Sequence, residues 1–345
     1  EGLKLKEQEG KVEVFWPAAG YYEKEIQGQY ARGYCPGMTL EPEVPEELLN
    51  QAKAFTDTAI ITICRYSGEG WDRKSIADKA FAGGDQSLAQ LSAKIFENGD
   101  FCLTEAEKKM VEKVKTAFPH VAVVLNVGGM LDTSWFKEDE KISSVLLAWQ
   151  GGIEGGLAAA DILCGDVNPS GKLTDTFAGT LEDYPSSESF HESLDYVNYE
   201  EDVYVGYRYF ESFPQAKEKV IYPFGYGLSY TTFEIAVKDL KVEKEKVKVK
   251  AEVTNLGKRA GKEVVQVYYS APQGKLGKPA LELAAFGKTR LLAPGESQMM
   301  LLEFPVSSMA SFDDMGKISR SAYVLEEGNY GFYVGNSAEN VEKCG

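Results

Sequence analysis

The chain has few of the residues that build metal centres and disulfide frameworks. Its 345 residues include two histidines and five cysteines, Cys35, Cys64, Cys102, Cys164 and Cys344. The cysteines are far apart, odd in number and include no Cys-x-x-Cys pair, so we expect no disulfide framework, no metal site and no cofactor. This usage favours a reducing compartment, and we expect a cytoplasmic protein, with secretion or a periplasmic location as alternatives. Cys64 lies in an apolar run and is predicted to be a small core residue.

The chain also lacks a net positive charge and long apolar runs. Its net charge of −16 argues against nucleic acid and against an anionic membrane surface as partners, and a neutral substrate fits better. No run approaches the apolar length of a transmembrane helix. The first residues do not have the character of a signal peptide and resemble the interior of a larger domain, so we expect that a leading segment is missing.

The first half alternates predicted strands and helices. Residues 58–64 (TAIITIC), 119–129 and 145–149 are rich in apolar and β-branched residues and predict strands buried on both faces. A capping box, Thr104 with Glu107, opens a predicted helix that ends near residue 117, and a second helix is predicted over residues 157–164. This order predicts a parallel sheet covered on both faces.

The N-terminal segment is harder to interpret. Residues 11–16 (KVEVFW) alternate polar and apolar side chains and predict a half-buried strand. Glycine, tyrosine and proline punctuate residues 17–45, which are predicted to form a long surface loop. Pro45 then marks the first turn of a helix.

The second half contains an aromatic segment followed by β-strands. Residues 181–230 are dense in aromatic residues, which favours a connector packed over the sheet domain rather than a free linker. Strands are predicted over residues 247–253, 264–269, 297–304 and 330–334, with glycine and proline turns between them. Short strands at this spacing predict a β-sandwich of immunoglobulin type.

The segment with the strongest chemical character is residues 65–73 (RYSGEGWDR), directly after the first predicted strand. Ligands of open α/β sheets bind at the carboxyl ends of the strands, and Glu69 stands there between two glycines. Gly68 and Gly70 are expected to take conformations closed to other residues, which would extend the carboxylate toward a ligand. Trp71 adds an aromatic face and Arg73 a positive charge. An ordinary exposed loop is the alternative.

Seven motifs in order resemble the part of glycoside hydrolase family 3 β-glucosidases that lies outside their catalytic barrel. They are residues 65–73 (RYSGEGWDR), 147–156 (LAWQGGIEGG), 168–173 (NPSGKL), 205–209 (VGYRY), 224–230 (FGYGLSY), 255–261 (NLGKRAG) and 264–268 (VVQVY). The resemblance covers roughly residues 50 to 335. The family's usual opening strand of the sandwich is not recognisable upstream of Lys11.

The resemblance implies an α/β six-stranded, mostly parallel sandwich followed by an all-β fibronectin-III-like sandwich. We assign residues 1–215 to the first domain, 216–230 to an aromatic connector and 231–345 to the second. The resemblance also implies a partner, a (β/α)8 barrel domain or chain that carries the nucleophilic aspartate. This chain has too few βα repeats to form such a barrel itself. The implied substrate is a β-glucoside or oligosaccharide, and a homo-oligomer is a further expectation.

The same resemblance implies that Glu69 is the general acid/base of a retaining glycosidase. Trp71 and Arg73 are candidate substrate-binding residues; the alternatives are a packed loop anchor for Trp71 and, for Arg73, an ion pair with Asp72 that braces the loop. Glu154, the rival carboxylate, is interpreted as a helix-start residue.

The remaining candidates are interpreted as structural. Trp149 is predicted to belong to the core, residues 204–210 to a packing surface, and His120 and His191 to have no catalytic role. The alternative functions are a non-catalytic carbohydrate-binding module and a flavodoxin-like cofactor protein. The second of these lacks a phosphate-binding glycine motif after the first strand.

Overall fold

The chain forms two compact units. The computed structural model describes residues 1–68, 86–190, 193 and 195–345, with the backbone alone for residues 86–89. The first unit comprises Glu1–Val167 and Glu188–Val197, and the second comprises Asn168–Ser187 and Asn198–Gly345. The predicted domain boundaries at residues 215 and 230 stay predictions.

The first unit is an α/β structure with a parallel sheet. Its helices are α1 (Gly2–Gln8), α2 (Trp16–Tyr30), α3 (Glu46–Phe55), α4 (Gln86–Ile95), α5 (Glu105–Ala117), α6 (Ser134–Lys137) and α7 (Gly155–Leu163). Its strands are β1 (Thr58–Arg65), β2 (His120–Val127) and β3 (Ile142–Leu147), and they pair in parallel in the order β1-β2-β3. Six strands are predicted for this domain, and the described residues place three in this sheet, so the predicted number is not confirmed.

The sheet is buried unevenly. In β2, Val121, Val123 and Val127 on one face are fully buried, but on the other face Val124 is buried and Asn126 is exposed, so the predicted burial of both faces is confirmed only in part. In β3 no side chain is buried, so the prediction is wrong for that strand. In β1 burial alternates instead: Ile61 and Ile63 are buried, whereas the side chains on the other face are exposed. The prediction of two buried faces is therefore wrong for β1.

The outward face of β1 explains the error. It carries Thr58, Ile60, Thr62 and Cys64, so two threonines stand where a strand buried on both faces has apolar residues. Cys64 is exposed, so its prediction as a core residue is also wrong. The uncharged character of this face made the run look uniformly apolar.

The N-terminal segment differs most from expectation. Residues 11–15 form no strand, and α2 occupies the first half of the predicted loop, with Pro17 in its first turn, where the missing N–H costs no helical hydrogen bond. Gly20 and Gly28 lie inside this helix, at a typical cost of about 1 kcal/mol each relative to alanine. They are not the loop punctuation that the sequence suggests. The helix predicted after Pro45 is confirmed as α3, with Pro45 as its N-cap.

The predicted capping box at α5 is confirmed. The Thr104 hydroxyl accepts a hydrogen bond from the Glu107 N–H at 3.1 Å, and the Glu107 carboxylate accepts one from the Thr104 N–H at 2.8 Å. The box fixes where α5 begins, and α5 packs against β2. It thereby also fixes the position of the Glu107 carboxylate.

A charge cluster holds α1 against α7. The Lys6 ammonium lies 2.5 Å from the Asp161 carboxylate and 2.7 Å from that of Asp166, and these hydrogen bonds raise the pKa of Lys6 above its ordinary value. Lys11 pairs with Asp166 as well, at 2.8 Å. Gly2 makes the close helix packing feasible, because a Cβ there would lie 2.2 Å from the carbonyl oxygen of Gly156.

The second unit is mainly antiparallel. It begins with β4 (Phe177–Ala178), α8 (Tyr207–Ser212), α9 (Pro214–Lys217) and β5 (Val220–Tyr222), with a 3-10 turn at Leu181–Asp183. The remaining strands are β6 (Phe233–Glu243), β7 (Lys246–Asn255), β8 (Val264–Ser270), β9 (Glu282–Lys288), β10 (Ser297–Pro305), β11 (Ser311–Asp313), β12 (Ala322–Val324), β13 (Gly331–Gly335) and β14 (Val341–Lys343), with a 3-10 turn at Val306–Met309.

These strands build a β-sandwich. One sheet has the order β10-β7-β6 and the other β14-β13-β8-β9, and both contribute to one core that includes Val249, Val267, Leu302 and Phe332. The four predicted strands are confirmed as β7, β8, β10 and β13. β6 and β9 were not predicted. In β6 a register shift after Val237 interrupts the alternation that identifies a strand.

The part of the aromatic segment from residue 198 onward belongs to the second unit and packs there. Tyr207 stacks on Phe224 with 4.6 Å between ring centroids, and its hydroxyl accepts a hydrogen bond from the Leu283 N–H at 2.8 Å. A buried ion pair of 2.9 Å joins Lys172 to Glu263. The contacts of Tyr207 agree with the prediction of a packed segment rather than a free linker, and the segment's predicted packing over the sheet domain stays a prediction.

Candidate active site

The candidate site lies at the carboxyl edge of the parallel sheet. There β1 continues into residues 66–68, β2 into Gly128 and β3 into residues 148–150. Because neighbouring parallel strands end at the same edge, these three segments are expected to meet, and they do. The Gln150 side-chain Nε2 donates a hydrogen bond of 3.0 Å to the carbonyl oxygen of Ser67.

Gly128 makes this approach possible. A Cβ at Gly128 would lie 2.5 Å from the Ser67 Cβ and 2.7 Å from the Gln150 Nε2, which is closer than real side-chain contacts allow. The glycine turn that the sequence predicts after β2 therefore serves a close approach of neighbouring loops. Any side chain at this position would separate Ser67 from Gln150.

The backbone at Trp149 is strained. Its φ is +54°, a left-handed conformation that bulky residues adopt only where the surrounding structure enforces it. Trp149 is half-buried, so the prediction that it belongs to the core is wrong in part. Its conformation turns the chain directly before Gln150.

Arg65, the last residue of β1, anchors the end of the strand through its side chain. All five of its N–H donors are used: Nε donates to the Asp100 carbonyl, Nη1 to the Cys64 carbonyl, Nη2 to the Cys102 carbonyl, and both Nη atoms to the Glu107 carboxylate at 2.7 Å. The side chain of Arg65 is 2% exposed. The root of the candidate loop is thus fixed to the start of α5.

An aromatic contact completes this anchor. The Arg65 guanidinium carbon lies 4.7 Å from the centroid of the Phe96 ring, which is cation–π geometry. Arg65 is the first residue of the motif 65–73, and no role was predicted for it. A basic residue at the end of an otherwise apolar strand was the available signal, since such a charge needs a buried partner.

Gly68 differs from expectation. It does not adopt a positive φ, so the proposed left-handed freedom is wrong for this residue. A Cβ there would lie 2.6 Å from the hydroxyl oxygen of Tyr66, so this exposed side chain would have to move. Glu69, Gly70, Trp71, Asp72 and Arg73 lie outside the described residues, so their predicted roles stay predictions.

The other sequence candidates lie where structural roles place them. Glu154 is the N-cap residue of α7, as predicted, although its side chain makes no cap hydrogen bond. His120 begins β2 and is therefore at the end of the strand opposite the candidate edge. Phe210 is 1% exposed, in agreement with the predicted packing role of residues 204–210. His191 lies outside the described residues.

A carboxyl group that the sequence analysis did not single out is Glu41. Burial raises its pKa from the ordinary 4.5 to about 7, the Tyr22 hydroxyl opposes this by donating a 2.6 Å hydrogen bond, and the Glu107 charge adds to the increase. The nearby loop and helix α2 therefore hold a carboxyl group that is partly protonated near neutral pH.

No built metal site is found in the part of the chain that the structure describes: no three His, Cys, Asp or Glu side chains there are grouped to hold an ion. An open depression lined by Glu112, Lys115, Trp135 and Asp139 lies where β3 begins, away from the candidate edge. None of the helices among the described residues is long and apolar enough to span a membrane.

Comparisons with known protein families match most of the chain. A family model described as the glycosyl hydrolase family 3 C-terminal domain matches residues 17–230, and one described as a fibronectin type III-like domain matches residues 263–338. Beta-glucosidase A of Butyrivibrio fibrisolvens is 53% identical over 98% of this chain and 42% of its own length. A beta-glucosidase of Ruminococcus albus is 39% identical over 94% of this chain and 32% of its own length.

Solved structures agree. A beta-glucosidase from Paenibacillus barengoltzii matches with a TM-score of 0.84 and 43% identity, over 97% of this chain and 35% of its own. Beta-glucosidase 3B from Thermotoga neapolitana, solved in complex with α-D-glucose, matches with a TM-score of 0.81 and 36% identity, over all of this chain and 46% of its own. The chain thus spans less than half the length of these relatives.

Proposed function

Because the chain belongs to the glycosyl hydrolase family 3 C-terminal domain family, we propose that it is the part of a retaining β-glycosidase that supplies the general acid/base, Glu69. A (β/α)8 barrel, in the same polypeptide or in a partner, supplies the nucleophilic aspartate and holds the sugar. The substrate is a β-glucoside or β-linked oligosaccharide.

The family membership confirms the resemblance and the fold class stated from the sequence, an α/β domain followed by a fibronectin-III-like β-sandwich. It does not by itself assign the catalytic roles. The observation that supports the proposal is the fixed segment that precedes Glu69 in the sequence. Arg65 is held by Glu107 and Ser67 by Gln150, at the sheet edge where α/β proteins bind ligands, and Glu69 follows Ser67 by two residues.

The proposed reaction has two steps. In the first, the barrel aspartate attacks the anomeric carbon while protonated Glu69 donates its proton to the glycosidic oxygen, so the aglycone leaves as an alcohol. In the second, the Glu69 carboxylate takes a proton from water, which attacks the glycosyl–enzyme ester and releases glucose and the aspartate. Two carboxyl groups about 5–5.5 Å apart are needed for this retaining mechanism.

The neighbours of Glu69 receive lesser roles. Trp71 lines the outer part of the sugar site by stacking, and Arg73 is a candidate substrate contact. An ion pair between Asp72 and Arg73 that braces the loop is the alternative for Arg73. The net charge of −16 is compatible with a neutral saccharide as substrate.

The test is the Glu69→Ala variant of the full-length enzyme. We expect hydrolysis of phenyl β-glucoside to fall by about 10²–10⁴-fold, because general acid–base catalysis contributes that much. With dinitrophenyl β-glucoside, whose leaving group needs no proton, the first step survives and the glycosyl–enzyme accumulates. Azide, which needs no general base, should then attack the anomeric carbon, accelerate turnover and yield β-glucosyl azide.

The matched control is Glu154→Ala, which removes a carboxylate from a similar glycine-flanked position and should leave both activities nearly unchanged. Activity of Glu69→Ala close to that of the parent enzyme would exclude Glu69 from the mechanism. Hydrolysis by the isolated chain would reveal a nucleophile within it. Saccharide binding by the isolated chain, with no loss of activity in Glu69→Ala, would instead favour a non-catalytic carbohydrate-binding module.

A further inference from the structure

We infer that Gln150 is a positioning residue for the proposed acid/base Glu69, acting through the Ser67 carbonyl group; this rests on the function proposed above. The Gln150 Nε2 donates to the Ser67 carbonyl oxygen at 3.0 Å. Ser67 precedes Glu69 by two residues, and two residues of extended chain span at most about 7 Å. The hydrogen bond is thus made two residues before the side chain that it would position.

The root of the loop is immobilised independently of Gln150. Arg65 is 2% exposed and bonds through all of its donors, including two hydrogen bonds of 2.7 Å to Glu107. Between this anchor and Glu69 the chain has three residues, 66 to 68. Within that short segment, the Ser67 carbonyl oxygen accepts a hydrogen bond from Gln150, which follows β3.

The structure around Gln150 is arranged for this contact. Trp149 adopts a left-handed φ of +54° directly before it, and Gly128 leaves the space in which the two loops approach. The strained backbone at Trp149 and the glycine at position 128 each cost folding free energy, which a surface glutamine without a fixed partner would not require. Gln150 is itself exposed, and it reaches a carbonyl group 83 positions earlier in the sequence.

The contact requires a donor. A glutamine side chain offers an N–H to the carbonyl oxygen, whereas a glutamate of nearly the same size offers only acceptors when ionised. Gln150→Glu is therefore a close steric match that replaces attraction by repulsion between two oxygen atoms. The resulting shift of the Ser67–Gly68 peptide changes the position of the next side chain, and catalysis is sensitive to displacements of this size.

The experiment compares leaving groups in the full-length enzyme. In Gln150→Glu and Gln150→Ala, kcat/KM for phenyl β-glucoside, which needs protonation of its leaving group, should fall by about 10–100-fold. The value for dinitrophenyl β-glucoside, which does not, should fall by less than about 3-fold. The melting temperature should not change. Gln51→Glu, at an exposed glutamine of α3, is the matched control and should leave all of these quantities unchanged.

A double variant separates the two proposals. If Gln150 acts through Glu69, then Glu69→Gln/Gln150→Glu should be no slower on phenyl β-glucoside than Glu69→Gln alone, because a misplaced group and an absent group do not add. Equal losses on both substrates, a lowered melting temperature or additive losses would overturn the role of Gln150. If Glu69→Gln itself shows no dependence on the leaving group, the proposed function fails first.

Discussion

The two β-structures of the chain treat their outward faces differently. In β7 of the sandwich, Val247, Val249, Ala251 and Val253 are fully buried, and the residues between them include lysines that pair with carboxylates of neighbouring strands, such as Lys248 with Glu303 at 3.8 Å. In β1 the outward residues are uncharged. The difference teaches that charge on alternate positions identifies a one-sided strand, whereas threonine and cysteine conceal it.

The loops of the two units differ in which residues hold them in place. In the sandwich, the loop after β11 closes on itself around Asp313: burial would raise the pKa of this carboxyl group, but hydrogen bonds from the N–H groups of residues 316–319 lower it below its ordinary value. At the edge of the parallel sheet, other elements hold the chain: Glu107 of α5 binds the Arg65 side chain, and Gln150 binds the Ser67 carbonyl group. A loop held from outside can place a side chain with respect to its neighbours.

The largest expected effect breaks the anchor of the parallel sheet. Arg65→Met leaves the buried Glu107 carboxylate without its partner and should lower the free energy of unfolding of the first unit by about 3–5 kcal/mol. All four tryptophans of the chain, at positions 16, 71, 135 and 149, precede residue 168, so urea unfolding followed by tryptophan fluorescence reports on this unit.

The control for this prediction removes both charges. Arg65→Met/Glu107→Met should cost less than Arg65→Met alone, since no uncompensated buried charge remains. A larger loss in the double variant would mean that the capping role of Glu107 outweighs the ion pair.

The next effect belongs to the sandwich. Leu292→Ala truncates a fully buried side chain of its core and should cost about 2–5 kcal/mol, seen in the circular dichroism of the β-structure with the tryptophan transition unchanged. Leu291→Ala, at a neighbouring side chain that is 56% exposed, is the control and should cost under about 1 kcal/mol. A coincident shift of both transitions would show that the units unfold as one.

A smaller effect concerns pH and Glu41. Its folded-state pKa of about 7 exceeds the ordinary 4.5, so between these values the unfolded chain releases a proton that the folded chain retains. The free energy of unfolding should therefore decrease as pH rises through this window, by up to about 3 kcal/mol before allowance for partial exposure.

Glu41→Gln tests this assignment, because the amide keeps an acceptor for the Tyr22 hydroxyl and cannot ionise. The variant should match the parent protein in urea unfolding at pH 4.5 and exceed it in stability at pH 8. An unchanged difference between the two proteins across this range would place the pKa of Glu41 near its ordinary value.

The smallest effect is that of Ile60→Ala, and its comparison with Ile61→Ala tests the difference between the two sheets directly. Ile60→Ala and Ile61→Ala remove the same atoms from adjacent positions of β1, one 43% exposed and the other 3% exposed. We expect about 2–5 kcal/mol for Ile61→Ala and under about 1 kcal/mol for Ile60→Ala, measured by tryptophan fluorescence. Equal losses would mean that the outward face of β1 is covered in solution.

Much of the fold could be predicted from local signals. The capping box of Thr104 and Glu107 fixed the start of α5, and apolar runs located β1, β2 and β3, because short-range hydrogen bonds and hydrophobic pattern decide these elements. The N-terminal helix α2 could not be predicted, since its glycines and tyrosines favour a loop locally and tertiary contacts override that preference.

The candidate site was predictable in part. The edge of the sheet and the glycine turn at Gly128 followed from strand order and composition. The contact between Gln150 and Ser67 could not be foreseen, because it joins residues 83 positions apart and depends on the strained φ of Trp149. Glu41 was missed for a similar reason: its environment is built by α2, an element that the sequence did not reveal.

Gly128 has a practical consequence for protein engineering. A methyl group introduced there by Gly128→Ala must displace both the Ser67 side chain and the Gln150 amide, and the larger side chain of Gly128→Ser must displace them further. The position therefore offers a graded series of substitutions that alters loop spacing without changing a polar group of the site. For the proposed glycosidase, this is a backbone position, rather than a sugar contact, at which to vary the range of accepted aglycones.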